Sequence, residues 1–165
     1  MSKIDKIDLN LINLLVEDGR TSSAELARQL GDVTERTVRY RIERLLREGY
    51  IQICAVPNPR MLGFNVAADV FIEVEADKIF EVAQKLADFE CVSYVACSIG
   101  EMDVSAQVLA KNTDEIYAFV TNVVRKIPGV RKTATSIVPV VLKDIHRWRV
   151  PESACLEFDQ TKPND

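Results

Sequence analysis

The sequence predicts an α+β protein made of an all-helical first unit and a mixed second unit. Apolar residues recur at spacings of three and four through the first third of the chain, the period of amphipathic helices. Beyond residue 65, β-branched runs alternate with helical patterns in the order β-α-β-β-α-β. Between the two patterns, Pro57-Asn58-Pro59 lacks two backbone donors and favours an extended chain. We therefore expect domains at 1–56 and 65–143, a semi-rigid linker at 57–64, and a C-terminal extension at 144–165.

Composition excludes several classes of protein. The 165 residues are 47% hydrophobic and 28% charged, which is ordinary for a folded domain and unlike a wholly disordered chain. No run approaches the roughly 18 apolar residues of a membrane span, and the first ten residues lack the core of a secretion signal. We expect a cytoplasmic protein without a membrane segment. Four cysteines without a C-x-x-C pair and a single histidine argue against a metal site, and without a secretion signal we expect reduced thiols. We expect no cofactor.

Three helices are predicted in the first domain. The first runs from Lys6 to Glu17 and the second from Ala24 to Leu30, after a capping box formed by Ser22 and Glu25. The third runs from Glu35 to Glu48, with Thr34 as its N-cap. Two short helices joined by a glycine-containing turn and preceded by a third helix form a helix-turn-helix, whose second helix enters the major groove of DNA. We expect a winged-type helix-turn-helix, followed by a short β-rich run over 50–56.

The charge pattern supports that interpretation locally. The net charge of the whole chain is −4, but residues 31–47 hold five arginines against three acidic residues. Arginine suits bidentate contact with phosphate or guanine. The candidate DNA-binding residues begin with Thr34 and Glu35, continue with Arg36, Arg39 and Tyr40 for the groove, and end with Arg44 or Arg47 for the backbone. Arg41 is harder to place, because it can pair with an acidic neighbour inside the domain. The alternative for all these arginines is a solvated helix face balanced by internal ion pairs.

The second domain has the pattern of a ferredoxin-like βαββαβ fold. Strands are predicted over 66–75, 91–99, 103–109 and 133–142, and helices over 77–88 and 113–126. A hairpin turn is expected at Gly100-Glu101-Met102, and Pro139 suits an edge or a bulge. Such a sheet keeps one face uncovered in a monomer, so we expect a homodimer. A dimer presents two recognition helices and predicts a two-fold related operator in double-stranded DNA.

Over residues 4 to about 143 the chain resembles the leucine-responsive/asparagine-operon regulator (Lrp/AsnC) family of prokaryotic transcription factors. The motifs that carry the resemblance are Ile4-Asp5-Lys6-Ile7-Asp8, Asp18-Gly19-Arg20, Glu25-Leu26-Ala27, Val38-x-x-Arg41-Ile42-x-x-Leu45, Gly49-Tyr50-Ile51, Gly100-Glu101-Met102-Asp103, Ile127-Pro128-Gly129-Val130 and Thr133-Ala134-Thr135. Each motif is weak alone, whereas their order and spacing together are specific. Before the third helix, Gly31-Asp32-Val33-Thr34 is one residue longer than the usual turn.

The resemblance implies a regulator whose second domain dimerises and senses an amino acid or a related metabolite. It also implies assembly of dimers, often into octamers, with the effector near the hairpin. The effector-binding residues that it implies are Ile99, Gly100, Met102 and Asp103, with Thr133, Thr135 and Ser136 on the last strand. The Asp103 carboxylate can accept an ammonium group, and glycine lets the backbone approach a ligand. The alternative is that Gly100 and Asp103 only build the hairpin.

Two other functions stay open at this point. One is an enzyme similar to the haem-pathway decarboxylases related to this family, for which His146, Arg147 and Arg149 would be the residues to consider. These three lie in the extension, no other catalytic motif occurs, and we expect no enzyme and no catalytic residue. The other is a metabolite-binding co-regulator without DNA affinity. The effector, the operator, the sign of regulation and the assembly beyond a dimer are not contained in the sequence, and the tail beyond Glu157 has a disordered composition.

Overall fold

The computed structural model describes residues 4–155, which form two compact units. The first contains residues 4–56 together with 142–155, and the second contains residues 57–141. The residues predicted as a linker, 57–64, group with the second unit and include a single 3-10 turn, Arg60–Leu62. The described part of the C-terminal extension, residues 144–155, groups with the first unit. The disorder expected beyond Glu157 lies outside the described residues. None of the described helices has the length and apolar character needed to cross a membrane.

Three helices form the first unit, as predicted: α1 (Lys6–Glu17), α2 (Ser23–Leu30) and α3 (Glu35–Arg47). Each contributes to one apolar core, whose fully buried members are Leu11, Leu26, Val38 and Leu45. The hydroxyl oxygens of Ser22 and Thr34 accept backbone N–H bonds at the starts of α2 and α3, both at 3.2 Å. Gly31 ends α2 with a φ of 82°, a conformation that favours glycine.

The reciprocal capping box forms at a different helix from the one predicted. At Ser22 the hydroxyl accepts from the Glu25 N–H, but the Glu25 carboxylate binds Arg28 and Gln29 instead. The box lies at the start of α1, where Asp5 Oδ1 accepts from the Asp8 N–H at 2.9 Å. In return Asp8 Oδ2 accepts from the Asp5 N–H at 3.1 Å.

A buried carboxylate connects α1 to α3. Asp8 is fully buried, and Arg41 Nη1 donates to its Oδ1 at 2.8 Å and to Asp5 Oδ2 at 2.8 Å. Arg44 Nη2 donates to Asp8 Oδ2. The expectation that Arg41 pairs inside the domain is confirmed. Burial lowers the pKa of the Arg41 guanidinium, but its bonds to Asp8 and Asp5 outweigh that effect and raise the pKa above its ordinary value.

The chain after α3 is extended without pairing. Residues 51–58 hold no strand, and no strand occurs between residues 4 and 56, so the predicted wing is not formed in the described structure. Tyr50 and Ile51 are partly buried against the helical core, whereas Ile53 and Val56 are about half exposed.

The C-terminal segment packs against α1. The Asn13 side chain accepts from the Val150 N–H at 2.8 Å and donates to the Val150 carbonyl at 3.1 Å, so it binds that residue as a neighbouring strand would. Arg149 forms an ion pair with Glu17. Val150 also packs on the helical core. These contacts make the C-terminal segment part of the first unit.

The second unit has the predicted ferredoxin-like order. Its strands are β1 (Val66–Val74), β2 (Val92–Cys97), β3 (Val104–Ala110) and β4 (Val130–Val138), arranged antiparallel as β2-β3-β1-β4. Helices α4 (Ile79–Ala87) and α5 (Thr113–Asn122) cover one face. Phe89 and Phe119 meet edge to face with ring centroids 5.2 Å apart.

Two elements end four residues earlier than predicted. The helix expected over 113–126 stops at Asn122 and continues as a 3-10 turn, Val124–Lys126. The last strand begins three residues before Thr133 and ends at Val138, one residue before Pro139, which has no N–H to extend the pairing.

The second face of the sheet lacks a covering layer among residues 57–141. Phe71 and Tyr94 lie on this face and are 38% and 57% exposed. Gln107 between them donates to Asp69 at 3.3 Å and receives a bond from Ser93. This face mixes aromatic and polar side chains, as an interface that also contacts water does.

Replacing Asp8 with asparagine should lower the free energy of unfolding of the first unit by about 3–5 kcal/mol, because two arginines lose their buried counter-charge. Urea unfolding followed by circular dichroism measures the loss. The control is Asp18→Asn, an exposed carboxylate after the same helix, for which a change within about 1 kcal/mol is expected. Equal losses in the two variants would contradict the structural role of Asp8.

Acid should weaken the contact made by Asp5. Partial burial raises the pKa of this carboxyl. The Asp8 N–H and the Arg41 guanidinium lower the pKa by a larger amount, so the pKa lies below its ordinary value of 3.8. The folded state therefore prefers the carboxylate, and its contribution to stability is complete above that value and declines as the pH falls below it. We expect the difference in melting temperature between the wild type and Asp5→Asn to be constant from pH 5 to 7 and to shrink below pH 4. A difference in melting temperature that grows in acid would contradict the lowered pKa of Asp5.

Candidate nucleic-acid interface and ligand region

One face of α3 carries the exposed charged residues of the predicted recognition helix. Arg36, Arg39, Tyr40, Glu43 and Arg47 are all exposed and recur at spacings of three and four. The opposite face holds Val38 and Leu45, which are fully buried in the helical core. The amphipathic pattern therefore presents three guanidinium groups and a phenol to solvent along one side of the helix.

These guanidinium groups differ in their partners. Arg39 Nη2 lies 2.7 Å from Glu35 Oε1 in an exposed i,i+4 pair, and Arg47 Nη2 lies 4.0 Å from Glu48. Arg36 has no ion-pair partner within residues 4–155. Exposed pairs contribute little to stability, so a phosphate or a base can replace Glu35 at Arg39 at small cost.

Arg44 binds inside the first unit, and its contact with the DNA backbone stays a prediction. Its guanidinium binds the buried Asp8 carboxylate, and its side chain is only 18% exposed. Among the described residues its Nε is buried without a hydrogen-bond acceptor. The sequence signal for this pairing was an aspartate at a core-facing position of α1, three residues after another aspartate.

Thr34 and Glu35 have roles within the helix itself. The Thr34 hydroxyl accepts the Thr37 N–H and shares a 2.9 Å bond with the Thr37 hydroxyl. Glu35 binds Arg39. Both residues lie at the exposed start of α3, where Thr34 fixes the point at which the helix begins.

The β2–β3 hairpin holds four of the expected effector-binding residues. Ile99 is fully exposed between the two strands. Asp103 has a structural role, since its Oδ2 accepts from the Val74 N–H at 2.8 Å, and its backbone bonds Ile72 and Ser98. No described residue donates to its Oδ1. The Oδ2 atom of Asp103 is therefore bound to the sheet, and its Oδ1 atom is available to a ligand.

The three residues expected on the last strand do not lie together. Thr133 and Thr135 pair with the core-facing Ile72 and Val70, so they point to the helical side of the sheet, where they line a cavity of about 300 Å³ against α5. Side chains alternate along a strand, and Ser136 therefore points to the other face. The seven expected effector residues are divided among the hairpin, the helical side and the open face.

The residues considered for metal or catalysis do not form such a site in the described part of the chain. No group of three or more His, Cys, Asp or Glu side chains there is placed to hold a metal ion. His146 lies in an exposed 3-10 turn, Ile145–Arg147, and Arg149 pairs with Glu17. Burial raises the pKa of the Cys91 thiol, with Glu90 adding to the effect.

Comparison with known families matches both units. Residues 4–46 match the AsnC-type helix-turn-helix domain, and residues 58–150 match a C-terminal dimeric alpha+beta barrel domain. An uncharacterized HTH-type transcriptional regulator of Pyrococcus furiosus is 38% identical over 141 residues, which is 85% of this chain and 95% of the relative. The HTH-type transcriptional regulator LrpA of Pyrococcus horikoshii is 32% identical over 141 residues, covering 85% and 99%.

Solved structures agree with the fold. AsnC of E. coli superposes with a TM-score of 0.79 at 25% identity, over 88% of this chain and 99% of its own. A transcriptional regulator from Neisseria meningitidis, solved as a complex with L-Met, superposes with a TM-score of 0.81 at 20% identity, over 90% and 96%. The predicted resemblance is confirmed. The named relatives are transcriptional regulators, which also confirms that a regulator rather than an enzyme is the correct class.

Replacing Arg36 or Arg39 with alanine should weaken binding to a specific DNA site by about 1–3 kcal/mol each, because both lie in the first half of the recognition helix. Fluorescence anisotropy with a labelled operator selected from random DNA measures the change. Lys85→Ala in α4 removes the same charge from the second unit and should bind DNA like the wild type. Unchanged affinity in both arginine variants would exclude this face of α3 as the reading surface.

Proposed function

Because the chain belongs to the Lrp/AsnC family of transcriptional regulators and carries its DNA-binding helix-turn-helix, we propose that it reads a two-fold related site in double-stranded DNA and that an amino acid or related metabolite alters its DNA affinity or assembly. The single observation that carries the DNA part is the face of α3, on which Arg36, Arg39, Tyr40 and Arg47 are exposed while Arg41 and Arg44 are used internally.

The positions along α3 indicate different roles for these residues. The N-terminal residues of a recognition helix meet base edges, so Arg36, Arg39 and Tyr40 read sequence. Thr34 and Glu35 precede them at the helix start and set their approach. Arg47, at the last turn, contacts phosphate. Since the partner is chromosomal DNA, the site of action is the cytoplasm.

The dimer supplies the second recognition helix. The matched second-domain family is described as dimeric, and the sheet of this chain has one face without a covering layer in residues 57–141. Pairing of two copies through these faces covers Phe71 and Tyr94. Two helices related by a two-fold axis then meet half-sites about 34 Å apart, one turn of DNA. Further assembly of dimers, up to octamers, extends the bound DNA.

Our proposal puts the effector at the hairpin. Ile99 and Met102 offer apolar contact, and the Asp103 Oδ1 is available for an ammonium group. Gly100 leaves open space where a side chain would stand, with no atom within 4 Å of a Cβ there. The regulator of Neisseria meningitidis with the same fold was solved with an amino acid, L-Met, which supports this ligand class. Thr133, Thr135 and Ser136 are left out of this site.

The salt dependence of DNA affinity distinguishes the proposed phosphate contact of Arg47 from the proposed base contact of Arg36. Each phosphate contact adds about 0.9 to the slope of log affinity against log salt, so Arg47→Gln should reduce that slope by about one and weaken operator and random DNA alike. Arg36→Gln should lower operator affinity more than affinity for random DNA. Titrations at several salt concentrations give both values. Absence of any salt-dependent DNA binding by the wild type would instead favour a metabolite-binding co-regulator.

A thermal-shift screen of the twenty amino acids tests the hairpin site, because a ligand that binds the folded state raises the melting temperature. The expected result is a shift with one amino acid that falls by at least half in Ile99→Ser, whose side chain makes no buried contact. Leu142→Ser, which also replaces a highly exposed aliphatic side chain with serine, is the control. An unchanged shift in melting temperature in Ile99→Ser would contradict the hairpin site and would leave the proposed DNA binding unaffected.

A further inference from the structure

Residues 142–150, here called the C-terminal arm, belong to the first unit and carry three exposed basic side chains: Lys143, Arg147 and Arg149. The arm holds one acidic residue, Asp144, which is also exposed. Arg149 pairs with Glu17 of α1. Lys143 and Arg147 form no ion pair with any described residue. Two positive charges of the DNA-binding unit, both outside α3, are therefore available to a further partner.

The arm separates these charges from its apolar side chains. A groove of about 400 Å³ is lined by α1, by residues 50–56 and by the arm. The arm contributes four aliphatic or aromatic-ring side chains to this groove: Ile145, His146, Trp148 and Val150. None of its three basic residues is part of the lining. One side of the arm thus packs toward α1, and the basic side is directed to solvent.

Specific contacts hold the arm along the C-terminal half of α1. The Asn13 side chain makes both of its hydrogen bonds to the Val150 backbone, and the pair of Arg149 with Glu17 lies one helical turn further on. The groove beneath the arm continues to Gly19, in the turn between α1 and α2. The arm therefore lies beside the turn that leads into α2.

In a helix-turn-helix complex this end of α1 lies near the DNA backbone. The first helix of the motif, which is α2 here, crosses the backbone while the second helix lies in the major groove. Segments outside the recognition helix commonly add phosphate contacts that position the protein. Residues 51–56 do not form the predicted wing. The arm occupies a flank of the same unit and carries the charge that such a contact needs.

We propose that the C-terminal arm is a second DNA-contacting element, in which Lys143 and Arg147 bind backbone phosphates that flank each half-site. This inference rests on the proposed DNA binding and adds a contact outside α3. The guanidinium of Arg147 suits two phosphate oxygens at once, and the ammonium of Lys143 acts as a point charge. Phosphates carry no sequence information, so the arm raises affinity for any DNA that reaches past the half-sites.

Salt titrations of the full chain with the double variant Lys143→Gln/Arg147→Gln test the proposal, on duplexes that extend about one turn beyond the half-sites. Each lost phosphate contact removes about 0.9 from the slope of log affinity against log salt, so the slope should fall by about 1.8 for operator and random DNA alike. The ratio of wild-type to variant affinity should then shrink about ten-fold between about 50 and 200 mM salt.

The matched control is Lys85→Gln/Lys111→Gln, which removes two exposed charges from the second unit and should leave the slope unchanged. Both double variants should keep the wild-type melting temperature, because none of the four side chains is buried.

The length of the DNA locates the contact. On a duplex trimmed to the two half-sites, the wild type and Lys143→Gln/Arg147→Gln should bind equally, since the flanking phosphates are absent. Extending that duplex by about ten base pairs at each end should raise the affinity of the wild type several-fold and leave that of the variant unchanged. An equal loss of affinity on trimmed and extended DNA would overturn the position outside the half-sites.

A wild-type slope in Lys143→Gln/Arg147→Gln would overturn the arm contact and leave DNA binding through α3 in place. If self-association measured by sedimentation velocity also weakened in that variant, the two charges would belong to an interface between copies. Absence of salt-dependent DNA binding by the wild type would instead contradict the proposed function itself, so the two failures are distinguishable.

Discussion

The carboxylate of Asp8, buried between two arginines of α3, is the constraint on which the first unit depends. Arg41 and Arg44 are three residues apart, so they lie on one side of their helix and hold it in one rotation about its axis. Because that side faces α1, the arginines at 36, 39 and 47 face solvent. A buried charge is costly unless it is paired, and here the pairing specifies orientation as well as stability.

Local signals made most of the fold predictable. The helix starts at Ser22 and Thr34, the end of α1 and the βαββαβ order all follow from neighbouring residues and from the period of apolar positions. The extended run after α3 was less predictable, since β-branched residues also occur where a chain lies unpaired against a core. A core-facing aspartate in α1 indicates a buried carboxylate, but no local pattern identifies Arg44, 36 residues away, as one of its partners.

The candidate sites show that residues of one sequence motif do not have to share a surface in the fold. Thr135 and Ser136 are adjacent in the chain, but the pleat of β4 sends one to the helical side and the other to the open face. Asp103 and Thr133 lie on opposite sides of β1, with Ile72 between their strands. Residues that one motif suggests together can thus lie on different surfaces, and the register in the sheet decides which of them share a surface.

The clamp between Asn13 and Val150 has a consequence for how the protein is made. The two residues are 137 positions apart, and the intervening chain builds the entire second unit. During synthesis the first three helices leave the ribosome before the second unit does, but α1 gains its contact with Val150 only after the second unit has been translated. The packing of the first unit is therefore completed across a domain that is made in between.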